Sequence, residues 1–526
     1  MPRHTGLWIG RFLIAALIAW LLAAPLALAL WPAVTDPAAA ARVWGSTRTW
    51  LSLGQTLGMA AAVAVAAVIV SLPAACWLGR CRPTTARWLG LALLAPLLIL
   101  PIVHYYGWEL WVSFGGPLDA VLTVAGWRQY ERGPLMVFIS LLGWLWPLPA
   151  LVGGMALRSA DADLFRQAAL EPGGPRKWLG VQGAVLAAPM TAGGVVVLLL
   201  AAGETTVPPL SNLQWMWFPN ELMERLSSVD AAAAPDAAWM GLPLVAIVLT
   251  LILLPLRRLL RVGEAMRFTA AGAARPHVGQ SRWGVRLGTL ACFAVLACCP
   301  LGMIVARGGS PAAVWGGLVR LGQQTFGTVA LAAGAATLSL GIALAAVGLL
   351  RGRLRAPLVV LAWTVLLLPG PLLGGRLIEL YNRDGPLGWL YDSPGMFMTG
   401  MAARYMAVAL AIGAMVQEAA DRQIADAASV DGAGPFRRWL HVHLPGGFRV
   451  LLTGWLLLAG LCLSTGVDIA GQVRRPGMPL LSFYLLEQFH YEPVSDVIAG
   501  SLTSVAFVLA LLAILGVALG RRRGGA

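Results

Sequence analysis

The chain has 526 residues, of which 58% are hydrophobic and only 12% charged, with a mean hydropathy of +0.75. Ordinary globular chains carry about 25% charged residues, so a string of soluble domains is excluded and an integral membrane protein is expected. The net charge of +14 is scattered in small clusters between apolar runs, not gathered on one basic face, which argues against a nucleic-acid partner.

Apolar runs occur at 12–31, 53–78, 88–107, 135–157, 183–203, 239–256, 287–306, 326–350, 357–375, 398–416, 450–470 and 497–520. A bilayer-spanning helix needs roughly 20 apolar residues, so the sequence predicts twelve spans in an all-α protein, with no room for a large soluble catalytic domain. The first run, behind Arg3 and Arg11, is long for the apolar part of a signal peptide and is expected to be a retained anchor. Cys76, Cys81, Cys292, Cys298, Cys299 and Cys462 form no C-x-x-C pair and read as small core residues.

Basic clusters fall in alternate connections: Arg80, Arg82 and Arg87; Arg158, Arg166, Arg176 and Lys177; Arg257, Arg258, Arg261 and Arg267; Arg351, Arg353 and Arg355; Arg422, Arg437 and Arg438; Arg521, Arg522 and Arg523. Basic residues in short loops stay in the cytoplasm, so both termini are expected there. The opposite loops are leaner in Arg and richer in Trp, Pro and acids.

An internal repeat is visible at about half the chain length. Gln55-Thr56-Leu57-Gly58 opens the second span and Gln324-Thr325-Phe326-Gly327 the eighth. The loop after the fourth span, QAALEPGGPRKWLGVQG (167–183), is echoed after the tenth by DAASVDGAGPFRRWLHVHLP (426–445). Two parallel, pseudo-symmetric six-span halves are therefore expected, at 1–260 and 285–526, joined by a cytoplasmic linker at 261–284. A pathway would lie between them.

The second loop (419–445) reads Asp426-Ala427-Ala428, three residues, Gly432, nine residues, then Val442-x-Leu444-Pro445. It resembles the EAA loop of permease subunits in binding-protein-dependent ABC importers, which runs Glu-Ala-Ala, three residues, Gly, nine residues, Ile-x-Leu-Pro. The spacing agrees throughout, with Asp for Glu and Val for Ile. The residues alone predict a short helix over 422–430 with a small-residue face at Ala427-Ala428, ended by Gly432 in the left-handed region. Pro435 is expected to keep the helix from resuming, and Leu444-Pro445 to begin the return to the membrane. The first loop (160–183) is a degenerate copy, with Gln167-Ala168-Ala169 and Gly173 in place but Gly183-Ala184 where Leu444-Pro445 would stand.

The resemblance implies the fold of a type I importer permease in a bacterial inner membrane. Its fused, double-length form is most like the ferric-iron and thiamine classes. Implied partners are two cytoplasmic ATPase subunits docking on the two loops, and an extracytoplasmic binding protein that delivers the solute, with a lean to ferric iron as cargo. The chain itself is not expected to be an enzyme. Lys177, the sole lysine, is followed by Trp178, so no Gly-Lys-Ser/Thr phosphate loop exists, and ATP with Mg²⁺ would be bound by the partner ATPase alone.

Glu204, in Gly-Glu-Thr-Thr, and Asp468, in Gly-Val-Asp-Ile, sit at the outer ends of the fifth and eleventh spans. Acids there either line a pathway or cap helix ends. With Thr205, Thr206, Ser464 and Thr465 they are the pathway candidates, and hard carboxylates would suit a ferric ion. His104-Tyr105-Tyr106-Gly107-Trp108-Glu109 is expected to be an interfacial anchor, and His441 and His443 to be loop residues without a metal. The rival reading is a secondary transporter driven by an ion gradient, but the loop Arg80–Arg87 holds no acid and the spans hold few.

Overall fold

The computed structural model describes residues 2–520 apart from 114, 129–130, 161–164, 166–173, 212–215, 229, 231–232, 270–282, 309–310, 351–354, 420–421, 465–468, 470–471, 474–477 and 492–493. Among the described residues the regular structure is all helical. Ten helices are long and apolar enough to cross a membrane, and two bent helix pairs raise the number to as many as twelve. Helix is the outcome physics requires, because hydrocarbon offers no partner for a backbone N–H or C=O. The protein is a multi-pass membrane protein.

Every apolar run falls on one of these elements. The spans are Ile9–Thr35, Thr47–Arg80, the pair Pro83–Leu98 and Pro101–Val112, Gly133–Ser159, Gly180–Gly203 and Ala233–Leu253. They continue with Trp283–Arg307, Gly322–Leu349, the pair Arg355–Leu367 and Gly370–Tyr381, Gly395–Glu418, Trp439–Leu463 and Ser495–Leu519. The third and ninth runs, each read from sequence as one span, are bent pairs with breaks of 82° and 109°. Both breaks are extended: Leu100 has φ −54 and ψ 135, and Pro369 has φ −55 and ψ 133. Leu100 precedes Pro101, which disfavours the helical region at the residue before it.

The first, seventh and eleventh spans each contain a π turn that closes one residue short of a proline: Ala19–Ala23 before Pro25, Ala294–Cys298 before Pro300, Trp439–His443 before Pro445. A proline ring clashes with the carbonyl four residues back, and widening the turn relieves that clash without ending the helix. Here the expectation for the second loop is corrected. Pro435 does not stop the helix. It opens the next one, Pro435–Arg438, which runs through the π turn into Leu444–Leu463. The return to the membrane therefore begins well before Leu444-Pro445.

Packing follows small residues, which is how helices associate where lipid removes the hydrophobic drive between them. The second, fourth and fifth spans pack mutually, and so do the eighth, tenth and eleventh. The first span packs on the sixth, where Ala29 is buried, and on the eighth, ninth and tenth, with Ile18 and Leu22 fully buried there. The seventh packs on the second, third and fourth. Each of these two helices thus lies against spans from the other part of the chain.

On the face where the second span begins, acids and arginines form a chain of ion pairs. Arg42 bridges Asp36 at 2.9 Å and Asp236 at 3.0 Å. Arg225 joins Asp236 at 2.9 Å to Glu221 at 3.5 Å, and Arg48 meets Glu221 at 3.4 Å. The buried Glu221 carboxylate also accepts from Ser52 Oγ at 2.8 Å. Arg320, in the helix before the eighth span, pairs with Asp496, at the start of the twelfth, at 2.8 Å. Two threonines of the spans cap helices on this face: Thr56 Oγ1 accepts from the Phe218 N–H at 3.0 Å, and Thr328 Oγ1 from the Leu481 N–H at 2.8 Å. Each satisfies one of the donors a helix start leaves unpaired.

Candidate functional site: a central cavity and an exposed loop helix

A cavity of about 300 Å³ lies between the third, fourth and fifth spans on one side and the ninth, tenth and eleventh on the other. Its wall is largely apolar and carries Trp144, Trp363, Tyr405, Glu204, Arg404 and Ser464. The bends of the third and ninth spans supply Leu97, Pro101, Leu366 and Leu367 to the same wall. A break in a helix frees carbonyls from their intrahelical partners, and side chains at the cavity take them up. The Trp144 indole N–H donates to Leu97 O at 3.2 Å, and the Arg404 guanidinium donates to Val365 O at 3.3 Å and to Leu368 O.

Glu204 does both things the sequence left open. It lines the cavity, and its Oε1 accepts from the Thr206 N–H at 2.7 Å, capping the turn that follows the fifth span. Its backbone carbonyl accepts from the Trp217 indole at 2.6 Å. Ser464 reaches the same cavity from the eleventh span. Thr205 and Thr206 are buried beside Glu204, but Thr205 serves Asn220, whose side-chain amide donates to Thr205 O at 3.0 Å. Asp468 and Thr465 lie outside the described residues. Arg404, absent from the sequence reading, had a signal: an arginine inside an apolar span is costly and therefore placed for a reason.

The cluster at 104–109 is not an interfacial anchor. His104, Tyr105, Tyr106, Gly107 and Trp108 are all buried in the second helix of the third pair, Pro101–Val112. His104 Nε2 lies 3.1 Å from Pro96 O across the bend, the Tyr105 hydroxyl donates to Leu210 O at 2.9 Å, and both tyrosines pack on Phe489. The bend turns this helix into the protein, so residues expected at the interface become core.

On the opposite, Arg-rich face stands the second loop. Its helix spans Arg422–Val430 and carries Asp426, Ala427 and Ala428 in its second half. Gly432 has φ +75, and the Ala433 N–H donates to Ala428 O at 2.9 Å, a left-handed termination as the sequence predicts. Ile424 is 56% exposed and Val430 86%, apolar side chains held away from the body of the protein. Val442 and Leu444 are half-buried and Pro445 exposed, all three now within a helix. In the first loop, Gln167, Ala168, Ala169 and Gly173 lie outside the described residues.

Among the described residues no group of three or more His, Cys, Asp or Glu is placed to hold a metal ion. No protein-family model matches the chain, and searches of the curated proteins and of the solved structures return no match.

Proposed function

We propose that this chain is the permease subunit of an ATP-driven ABC importer, built as two parallel six-span halves around the central cavity. The observation that carries this reading is the second loop. A helix with exposed Ile424 and Val430, small residues at Ala427-Ala428 and a left-handed stop at Gly432 sits between the tenth and eleventh spans, in the spacing of an ATPase-coupling loop. Recurring elements support the two halves: the bent third and ninth spans, the π turns of the first and seventh, the threonine caps, and the pairs Arg42–Asp236 and Arg320–Asp496.

In this reading two separate ATPase subunits dock on the two loops, and nucleotide-driven closure rocks the halves about the cavity. A binding protein delivers solute to the face bearing the ion-pair chain. Ferric iron as cargo follows from the family resemblance, and Glu204 is the one carboxylate among the described lining residues.

The test is co-purification of the solubilised chain with candidate ATPase subunits, comparing wild type with Gly432→Asp, Ala428→Arg and Ile424→Asp. Wild type retains an ATPase and the folded loop variants lose it. If no ATPase associates and uptake instead collapses with a protonophore, the chain is an ion-gradient-driven transporter.

A further inference from the structure

A second cavity, of about 170 Å³, opens between the first, eighth, ninth and tenth spans at the Arg-rich face. It is lined by apolar side chains, among them Ile18, Val347, Leu350, Trp363 and Ala414, and, among the described residues, by one charged residue, Arg355. Arg355 is exposed, at the start of the ninth span. Arg11 stands on the same rim: its Nε donates to Leu349 O at 3.0 Å, at the end of the eighth span and next to Leu350 of the cavity wall. Ala411 and Met415 of the tenth span are exposed beside the opening.

An apolar crevice between spanning helices, with two guanidinium groups where the hydrocarbon ends, matches the two parts of an anionic phospholipid. An acyl chain fills the crevice and the phosphate meets the arginines, as basic pockets between spanning helices bind acidic headgroups. We propose that this cavity is a binding site for one anionic phospholipid, wedged between the first span and the spans of the other half. The lipid would also back Trp363, which lines both this crevice and the central cavity, so its presence sets one wall of that cavity.

The experiment is native mass spectrometry of the purified chain titrated with phosphatidylglycerol or phosphatidylcholine. The variants are Arg11→Gln with Arg355→Gln, the same pair changed to Lys, and Ala414→Phe, which fills the crevice. Wild type is expected to hold one phosphatidylglycerol in preference to phosphatidylcholine. The double Gln variant loses that preference by about 25-fold, since each interfacial arginine contributes about fivefold, and the double Lys variant keeps most of it. Ala414→Phe loses both lipids from this site. Thermal unfolding in the same detergent identifies any variant that has not folded. Equal retention of the two lipids by wild type, or phosphatidylglycerol retention unchanged in both the Gln and Phe variants, overturns the proposal. So does displacement of the lipid by inorganic phosphate alone, which would make the arginines a simple anion site.

Discussion

Trp144 and Arg404 hold the two bends by the same device: each reaches from the span that follows the bent one to a carbonyl that the break has freed, Leu97 O in one case and Leu368 O in the other. One donor is neutral and the other charged, so the cavity they share is positive on the side of the tenth span. A buried hydrogen bond from a charged donor contributes about 1.5–3 kcal/mol and a neutral one about 1 kcal/mol. Arg404→Met is therefore expected to destabilise the protein by about 2 kcal/mol and Trp144→Phe by about half as much. Thermal unfolding in detergent reads this directly, and equal effects would contradict the assignment.

Gly447 sits where the eleventh span crosses the tenth, and a Cβ there would lie 2.7 Å from Val416 O. Backbone cannot yield as a side chain can, so Gly447→Ala is expected to cost about 1–3 kcal/mol. Gly58, mid-helix with nothing within 4 Å of a Cβ, is the control. Gly58→Ala should be neutral or stabilising by about 0.5–1 kcal/mol. The pair separates close approach from loss of a glycine as such.

The Asp119–Arg132 latch gives a pH dependence. Arg132, 2% exposed, donates to Asp119 Oδ1 at 2.7 Å, to Val112 O at 2.8 Å and to Thr123 Oγ1 at 2.8 Å. The guanidinium, with help from the Gly115 N–H, holds the Asp119 carboxyl below its ordinary value. A carboxyl lowered on folding contributes stability above its unfolded pKa and loses it as pH falls through the folded one. Hydrogen exchange over 113–132 should therefore be unchanged from pH 7 to about pH 4 after correction for intrinsic rates, and rise below that. In Asp119→Asn it should already be raised at pH 7, with that acid step absent, so that the two proteins converge at low pH.

The threonine caps are remote from each other, so their losses should add. Thr56→Val and Thr328→Val each leave a buried helix-start N–H unpaired, at about 1 kcal/mol apiece. The double variant is expected to lose about twice that, and a markedly smaller sum would show that other groups replace the caps.

The spans were legible because an apolar run in hydrocarbon has helix as its available structure, and the twelve runs fall on ten helices long and apolar enough to cross a membrane and on two bent pairs. The bends were not read, since apolarity continues unbroken through Leu98, Ile99 and Leu100, although Pro101 marks the first and Pro369-Gly370-Pro371 the second. Pro435 misled for a related reason: proline reads as a stop within a helix and as a start at its first position, and hydropathy does not distinguish them. Gly432 was legible because the left-handed stop is a local demand on the residue itself. Which span packs on which was not, because small residues such as Ala60 and Ala335 mark a contact face without naming its partner.

The placement of the first span has a consequence for assembly. Ile18 and Leu22 find their seat on helices that begin at Gly322. The sixth span covers Ala29 earlier, but at a synthesis rate of about 5–20 residues per second Ile18 and Leu22 wait tens of seconds in the bilayer against lipid. The seventh span, by contrast, emerges to find its own seat already made. The earlier and later spans are therefore clasped in an order, and the clasp closes only when the later helices reach back for the earliest one.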